Sequence, residues 1–330
     1  MTVIASAFNV IDSHTAGHPT RVVLSGVPRL EGETVREQRD YFRAHHDELR
    51  GGLLQEPRGH AAMVGLVPVP SKVADFGAFF ISSYVYLDMC GHGTIGYAKT
   101  LAFTGQLTPE HGDSFTLETP AGIVTAYLAW GDDGELLSVR LRNVPCFWGD
   151  EGLSIPFGEY GDVKADLIYG GMWYALVDAS SMGLDLDPNN VSDLLAVGAR
   201  LKAEIKKVIS GRPQYEGRPA PSVLFYREDS PASSTHFLVL ERNKFDRSPC
   251  GTGTSARYMQ LVSQGKLNKN DAYHAHNLFG VEFTARYSGG SNAGQKEEMV
   301  VEVEGKAFIT STATILFEKE EPLSLGFLCR

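Results

Sequence analysis

Cys90-Gly91-His92-Gly93-Thr94 and Cys250-Gly251-Thr252-Gly253-Thr254 both read Cys-Gly-x-Gly-Thr. After ten further residues each is followed by Gly-x-Leu: Gly105-Gln106-Leu107 in the first case, Gly265-Lys266-Leu267 in the second. In both copies the cysteine and the later glycine are fifteen residues apart, and the copies lie 160 residues apart in a chain of 330. Between them Ile95, Ala98 and Ala102, and again Ala256, Met259 and Val262, recur at helical spacing. Each copy therefore predicts the same succession: a loop, a cysteine, a glycine turn, a helix, and a glycine that ends it. Chance agreement over this length is improbable, and a duplicated domain is the simplest reading.

The flanking sequence is read in the same way. Thr34-Val35-Arg36-Glu37 forms a capping box that opens a helix toward Leu49, with Gly51-Gly52 expected to stop it. Asp187-Pro188 reads as an N-cap with proline at the first helical position, followed by Leu194, Val197, Leu201, Ile205 and Val208 on one face. Strand patterns dominate elsewhere. Val139 and Leu141 alternate with Arg140 and Arg142, Met299, Val301 and Val303 alternate with polar neighbours, and Phe308 to Phe317 is rich in Thr and Ile. The fold class is α+β. The length suggests two domains, and 43% hydrophobic with 21% charged residues is enough to bury a core in each. The expected limits are 1–118 plus about 305–330 for the domain carrying Cys90, and 119–304 for the domain carrying Cys250.

Composition excludes several classes. With 30 Lys and Arg against 40 Asp and Glu the net charge is −10, and no basic cluster offsets it, so no nucleic-acid partner is expected. No run approaches the roughly 18 apolar residues that span a bilayer. Met1 to Val10 holds no basic residue ahead of its apolar stretch, so neither a secretory signal nor a membrane partner is expected, and the expected location is cytoplasmic. The four cysteines, Cys90, Cys146, Cys250 and Cys329, are widely spaced without a Cys-x-x-Cys. That rules out a zinc ribbon or thioredoxin motif and is too sparse for a disulfide scaffold. Cys146 and Cys329 read as buried small hydrophobes.

The repeated motif has a chemical consequence. First-turn N–H groups of a helix lack intrahelical partners, the helix start is partly positive, and glycines admit a ligand close to the backbone. The result is an anion pocket with a thiol at its rim, in a field that favours the thiolate. Two related domains facing each other across a cleft would present two such thiols to opposite faces of a substrate α-carbon. One removes the α-proton and the other returns one, which is two-base racemisation or epimerisation. A phosphate loop is the weaker reading, since neither copy ends in Gly-Lys-Ser/Thr.

At these residues the chain resembles the proline racemase superfamily. Asp88-Met89-Cys90-Gly91-His92-Gly93-Thr94-Ile95-Gly96 and Asp246-Arg247-Ser248-Pro249-Cys250-Gly251-Thr252-Gly253 are similar to its two signature segments. Further likeness runs nearly end to end through Ile11-Asp12-Ser13-His14-Thr15-Ala16-Gly17-His18-Pro19-Thr20-Arg21, Glu56-Pro57-Arg58-Gly59-His60, Tyr169-Gly170-Gly171 and Gly326-Phe327. The resemblance implies a diaminopimelate-epimerase-like fold, in which two similar domains each curl a sheet around a central helix and the active site lies in the cleft between them. It implies an enzyme without cofactor or metal that acts on proline or hydroxyproline, working as a homodimer. It carries over Cys90 and Cys250 as the acid–base pair, Gly91, His92, Gly251 and Thr252 as substrate-binding positions beside them, and Asp246 as the holder of the ring nitrogen.

Within the superfamily, dehydratases of trans-3-hydroxy-L-proline have threonine or serine at the first cysteine position, and proline racemases commonly read Cys-Gly-His-Asn-Ser. Cys90-Gly91-His92-Gly93-Thr94 is more like the 4-hydroxyproline 2-epimerases, which interconvert trans-4-hydroxy-L-proline and cis-4-hydroxy-D-proline. Ser82-Ser83-Tyr84-Val85-Tyr86-Leu87 departs from the Asn-Asn-Val-Gly-Tyr-Leu run of those epimerases. His236, on a strand-like run before Asp246, is either a hydrogen-bonding partner of a substrate hydroxyl or an ordinary strand histidine. Other readings are weighed on the residues. His14 and His18 flank Gly17 and adjoin Pro19, which does not suit a regular helix presenting two metal ligands, and His274 and His276 lack an HExxH context. Cys90 with His92 as a hydrolase pair is expected to be geometrically awkward at a spacing of two, and it leaves the second motif unused. A non-catalytic amino-acid-binding module would keep the pocket without the proton chemistry.

Overall fold

The structure is a computed structural model that describes residues 4–291 and 298–329. The chain divides into two compact units: unit 1 comprises Met1–Leu141 with Gly305–Arg330, and unit 2 comprises Arg142–Glu304. Unit 1 contains β1 (Ile4–Thr15), β2 (His18–Ser25), α1 (Val35–His45), α2 (Asp47–Leu54), β3 (Val64–Val69), β4 (Phe76–Ser82), β5 (Tyr86–Leu87), α3 (Gly91–Phe103), β6 (Ser114–Thr119), β7 (Gly122–Trp130) and β8 (Leu136–Arg142). Unit 2 contains β9 (Phe147–Pro156), β10 (Asp162–Tyr169), β11 (Trp173–Asp178), α4 (Val191–Val208), β12 (Ser222–Ser230), β13 (Ser233–Glu241), β14 (Lys244–Asp246), α5 (Gly251–Ser263), β15 (Tyr273–His276), β16 (Glu282–Ser291) and β17 (Glu298–Gly305). The last strand, β18 (Ala307–Glu318), returns to unit 1.

The two units share one wiring. In unit 1 the strands run β18-β1-β2-β3-β4-β6-β7-β8, joined in turn antiparallel, antiparallel, parallel, antiparallel, parallel, antiparallel and antiparallel. In unit 2 the order β9-β10-β11-β12-β13-β15-β16-β17 repeats that succession of directions. β5 and β14 each add a short antiparallel strand, to β4 and β13 respectively. Duplication thus extends from two pentapeptides to the full strand order, with β18 in the place that β9 occupies in unit 2.

Each sheet curls around its own helix. α3 packs on β1, β2, β3, β7 and β18, and α5 packs on β10, β11 and β16. Both are 13 residues long and buried on nearly every side, as a helix without a polar face must be. Gly96 lets α3 lie close to the β1–β2 hairpin, since a Cβ there would sit 3.0 Å from Ser13 Oγ and 3.1 Å from Thr20 Oγ1. Amphipathic helices cover the other face. In unit 1, Val35, Phe42, Leu53 and Leu54 of α1 and α2 pack against Phe8, Val10, Phe79 and Phe317. In unit 2, Leu194, Val197, Leu201 and Ile205 of α4 pack against Phe225, Phe237 and Val239. Among the described residues no helix is long and apolar enough to cross a membrane.

Three expectations are corrected. The capping box at Thr34 and Glu37 is present, but the helix it opens ends at His45 and a second begins at Asp47. Gly51 and Gly52 lie inside α2 and do not stop it. Their missing side chains make room for the C-terminal segment, because a Cβ on Gly52 would come within 2.6 Å of Ser324 O. A break after residue 118 would fall inside the β6–β7 hairpin, and unit 1 continues through β7 and β8 to Leu141. Asp187 caps a short 3₁₀ turn, accepting from Asn189 N at 2.8 Å, and that turn leads into α4.

Candidate active site

In unit 1, Cys90 is the N-cap of α3. Its backbone is extended, and its carbonyl accepts from both the N–H and the hydroxyl of Thr94 at 2.9 Å. The thiol is buried beside His92, with Sγ 3.4 Å from Nδ1 and 3.6 Å from Nε2. The pair expected to be awkward at a spacing of two is thus in contact, as the position matched to His92 by the resemblance implies. The first turn lets the ring fold back over the cap, and Thr15 Oγ1 anchors the residue by donating to His92 O at 2.9 Å. From β2, His18 meets the His92 ring edge-on at 4.3 Å between centroids.

In unit 2, Cys250 is the N-cap of α5 and has φ 65°, a left-handed value that is strained for a residue with a side chain. That conformation turns the sulfur back onto the helix, where it accepts from Gly253 N at 3.3 Å. The turn before it is a chain of hydrogen bonds. Asp246 Oδ1 accepts from Ser248 N at 2.9 Å and Ser248 Oγ at 2.8 Å, and Ser248 Oγ accepts from Cys250 N at 3.1 Å. Tyr174 of β11 places its hydroxyl 3.4 Å from Cys250 Sγ and 2.5 Å from Thr252 Oγ1, and Thr252 Oγ1 lies 3.6 Å from the sulfur.

The glycines of the two motifs divide the work. A Cβ on Gly93 or Gly253 would stand 3.2 Å from the sulfur of its own cysteine, so these positions make room for the thiol. A Cβ on Gly251 would meet nothing within 4 Å, and one on Gly91 only Leu141 Cδ1 at 3.8 Å, so these positions leave space over the first turn. Gly170 and Gly171 of the β10–β11 turn lie against Thr252, where a Cβ on Gly170 would collide with Thr252 O.

Burial pushes the Cys250 thiol up to about 12, and Asp246 adds to the rise, while Tyr174, Gly253 N–H and Thr252 pull it back. Tyr174 is held well above the ordinary tyrosine value, chiefly by burial.

The sequence-derived residues fall into two groups, one in each unit: Cys90, Gly91 and His92 at the start of α3, and Asp246, Cys250, Gly251 and Thr252 at the start of α5. His236 is different. Its Nδ1 lies 3.0 Å from Pro249 O and its Nε2 2.8 Å from Tyr273 OH, so both ring nitrogens are engaged inside unit 2 and the ring braces the turn before Cys250. That is a structural place, and it leaves no ring nitrogen for a substrate hydroxyl. Burial lowers its pKa to about 4, so it acts as a neutral ring. Tyr174 and Ser248 were not found from sequence. The usable signal for Tyr174 was the Gly170-Gly171 pair, which marks a close approach between the β10–β11 turn and α5.

The remaining candidates are plain. His14 Nδ1 accepts from Gly17 N at 3.2 Å while His18 turns toward His92, so the two have separate surroundings. His274 and His276 both reach the Glu282 carboxylate, at 2.7 and 3.3 Å. Cys146 is fully buried, and burial raises its thiol to about 12. Cys329, expected to be buried, is exposed, because the chain has left the sheet by then, with Phe327 bridging to Glu56 just before it.

Comparison with known proteins gives one consistent picture. The sequence profile described as proline racemase matches residues 10–328. The 4-hydroxyproline 2-epimerase of Chromohalobacter salexigens is 37% identical over 324 residues, covering 96% of this chain and 97% of that protein. A hydroxyproline epimerase from Agrobacterium vitis, solved with bound trans-4-hydroxy-L-proline, superposes with TM-score 0.85 at 28% identity, covering 98% of this chain and 96% of that one. The PhzF-family phenazine biosynthesis protein of Bacillus anthracis, at 16% identity and TM-score 0.62 over 94% of this chain and 99% of its own, shares the fold, which is of the diaminopimelate-epimerase type.

Proposed function

Because this chain belongs to the proline racemase family and is therefore an isomerase of the racemase and epimerase kind, we propose that it is a 4-hydroxyproline 2-epimerase that uses two thiols and no cofactor. In this reading trans-4-hydroxy-L-proline and cis-4-hydroxy-D-proline interconvert at the α-carbon. The observation that carries it is the presence of cysteine at the N-cap of both central helices, in units of the same strand order. A one-thiol dehydratase has no use for the first of these, and a Cys-His hydrolase has no use for the second.

The substrate carboxylate is held by first-turn N–H groups at Gly91, Gly251 and Thr252, where missing or small side chains let it approach and the helix starts favour its charge. Asp246, its carboxylate oriented by Ser248, pairs with the ring ammonium. That ammonium stays protonated and makes the α-carbon more acidic. One cysteine, as thiolate, takes the α-proton; the C–H bond breaks, an S–H bond forms, and the electron pair is spread into the carboxylate. The second cysteine, as thiol, gives its proton to the opposite face and is left as thiolate. Base and acid have exchanged roles, and the reverse reaction starts from that state. Donors already in place at the carboxylate stabilise the charge that develops there.

Proton NMR in deuterium oxide tests the reading. With trans-4-hydroxy-L-proline the α-proton signal is expected to disappear as cis-4-hydroxy-D-proline signals grow. Cys90→Ser and Cys250→Ser are each expected to lower this conversion at least about a hundredfold, the scale of a lost acid–base group. Near wild-type turnover in either variant would sink the two-thiol mechanism. Exchange confined to L-proline or trans-3-hydroxy-L-proline would reassign the substrate, and ligand binding without exchange would favour the binding module.

A further inference from the structure

We propose that Tyr174 is the partner through which Cys250 is kept usable both as thiol and as thiolate. The inference rests on reading Cys250 as an acid–base group, and it adds a residue which that reading did not contain.

Three groups form a closed triangle: Cys250 Sγ, Tyr174 Oη and Thr252 Oγ1, with edges of 3.4, 2.5 and 3.6 Å. Tyr174 is fully buried and Cys250 nearly so, so water does not replace either partner. When the sulfur carries its proton, each group donates once and accepts once: the thiol to Thr252, Thr252 to Tyr174, and Tyr174 to the sulfur. When the sulfur is ionised, only its own proton has gone. Thr252 still donates to Tyr174, and Tyr174 donates to the thiolate. No hydroxyl loses its acceptor in either state, so the triangle stabilises the charged sulfur without penalising the neutral one. A fixed cation beside the sulfur would lock it as thiolate and spoil its use as an acid. Burial keeps the Tyr174 proton on oxygen, so it remains a donor.

The groups that face this sulfur within unit 2 are few. α5 supplies Thr252 and the Gly253 N–H, β11 supplies Tyr174, and β14 supplies Asp246, whose negative charge opposes ionisation. Tyr174 is thus the donor that β11 contributes against Asp246. Unit 1 has an analogous arrangement of different chemistry. There β2, which holds the place of β11, supplies His18 against His92, and His92 touches Cys90. Thr252 and His92 occupy the same position of the repeated motif, so each thiol is backed by its motif's third residue and by one side chain from the equivalent strand.

The test is Tyr174→Phe in the full chain, which removes one oxygen. Iodoacetamide labelling is followed from pH 7 to 11, with Cys90 and Cys250 resolved by peptide mass spectrometry. Below its midpoint the labelling rate follows the thiolate fraction. Cys250 labelling in the variant is expected to fall about tenfold or more at each pH, while Cys90 labelling is unchanged. The kcat for α-proton exchange from trans-4-hydroxy-L-proline is expected to fall about 10- to 100-fold with KM nearly constant, and its alkaline limb to move to higher pH. An unmoved Cys250 profile overturns the proposal. If Tyr174→Phe does not fold, 3-fluorotyrosine in place of Tyr174, a stronger donor of nearly the same shape, is expected to raise Cys250 labelling about twofold or more, with no shift again overturning it. Labelling does not require turnover, so the outcomes separate. An inactive Cys250→Ser with an unmoved Tyr174→Phe profile rejects only the role of Tyr174. An active Cys250→Ser rejects the two-thiol reading and leaves the labelling result to stand by itself.

Discussion

At the scale of single residues, the two motifs differ most at the cysteines, although the flanking letters match. Cys90 sits in ordinary extended backbone, while Cys250 is held at φ 65° by Ser248 below it and by His236 through the Pro249 carbonyl. The glycines make separable predictions. Gly253→Ala places a methyl group 3.2 Å from the sulfur it must clear and is expected to lower kcat more than tenfold with the fold retained. Gly251→Ala meets nothing within 4 Å and replaces glycine in a helix, so its thermal midpoint is expected to stay level or rise. If the space over that first turn takes the substrate carboxylate, its KM rises about tenfold. Steady-state kinetics and a melting curve on both variants decide between these outcomes.

At the scale of elements, what was legible depended on whether a signal was local. α3 and α5 were readable because cysteine, glycine turn, apolar spacing and terminal glycine all lie within one short window. In both, the final glycine has a left-handed φ, 72° at Gly105 and 69° at Gly265. Gly51-Gly52 misled because its cause is a segment more than 270 residues away in sequence, which local spacing does not report. The contact between Cys90 and His92 came only with the resemblance, because spacing does not report how the ring folds over the first turn. Tyr174 was missed because its partner lies 76 residues further along the chain. The local signals carry predictions of their own. Thr34→Ala removes the hydroxyl that accepts from Glu37 N in the capping box at α1 and is expected to cost about 1 kcal/mol in denaturant unfolding. Gly198→Ala on α4 would drive a Cβ to 2.5 Å from Val239 Cγ2 and is expected to cost about 1–3 kcal/mol.

For the whole molecule, the buried thiols make the fold sensitive to alkaline pH. Cys146 and Cys250 are both pushed up to about 12 by burial, against roughly 8.5 for an unfolded cysteine. The native state therefore holds protons that the unfolded chain releases. This contribution is complete below about pH 8.5 and is lost as pH rises toward 12. The urea midpoint is expected to fall steadily over that window, and a flat profile would show that these thiols ionise as freely in the folded state as in the unfolded one. The duplicated wiring was legible in two pentapeptides, and the Thr- and Ile-rich run near the C-terminus was expected to return to the first domain; in the structure Ala307–Glu318 is the strand that pairs with β1 and heads unit 1. During translation that strand leaves the ribosome last. Unit 2, made from one continuous stretch, can fold while the nascent first unit still exposes the open edge of β1 to chaperones and to aggregation. A nonsense codon as late as position 306 would therefore spare the second unit and cripple the first.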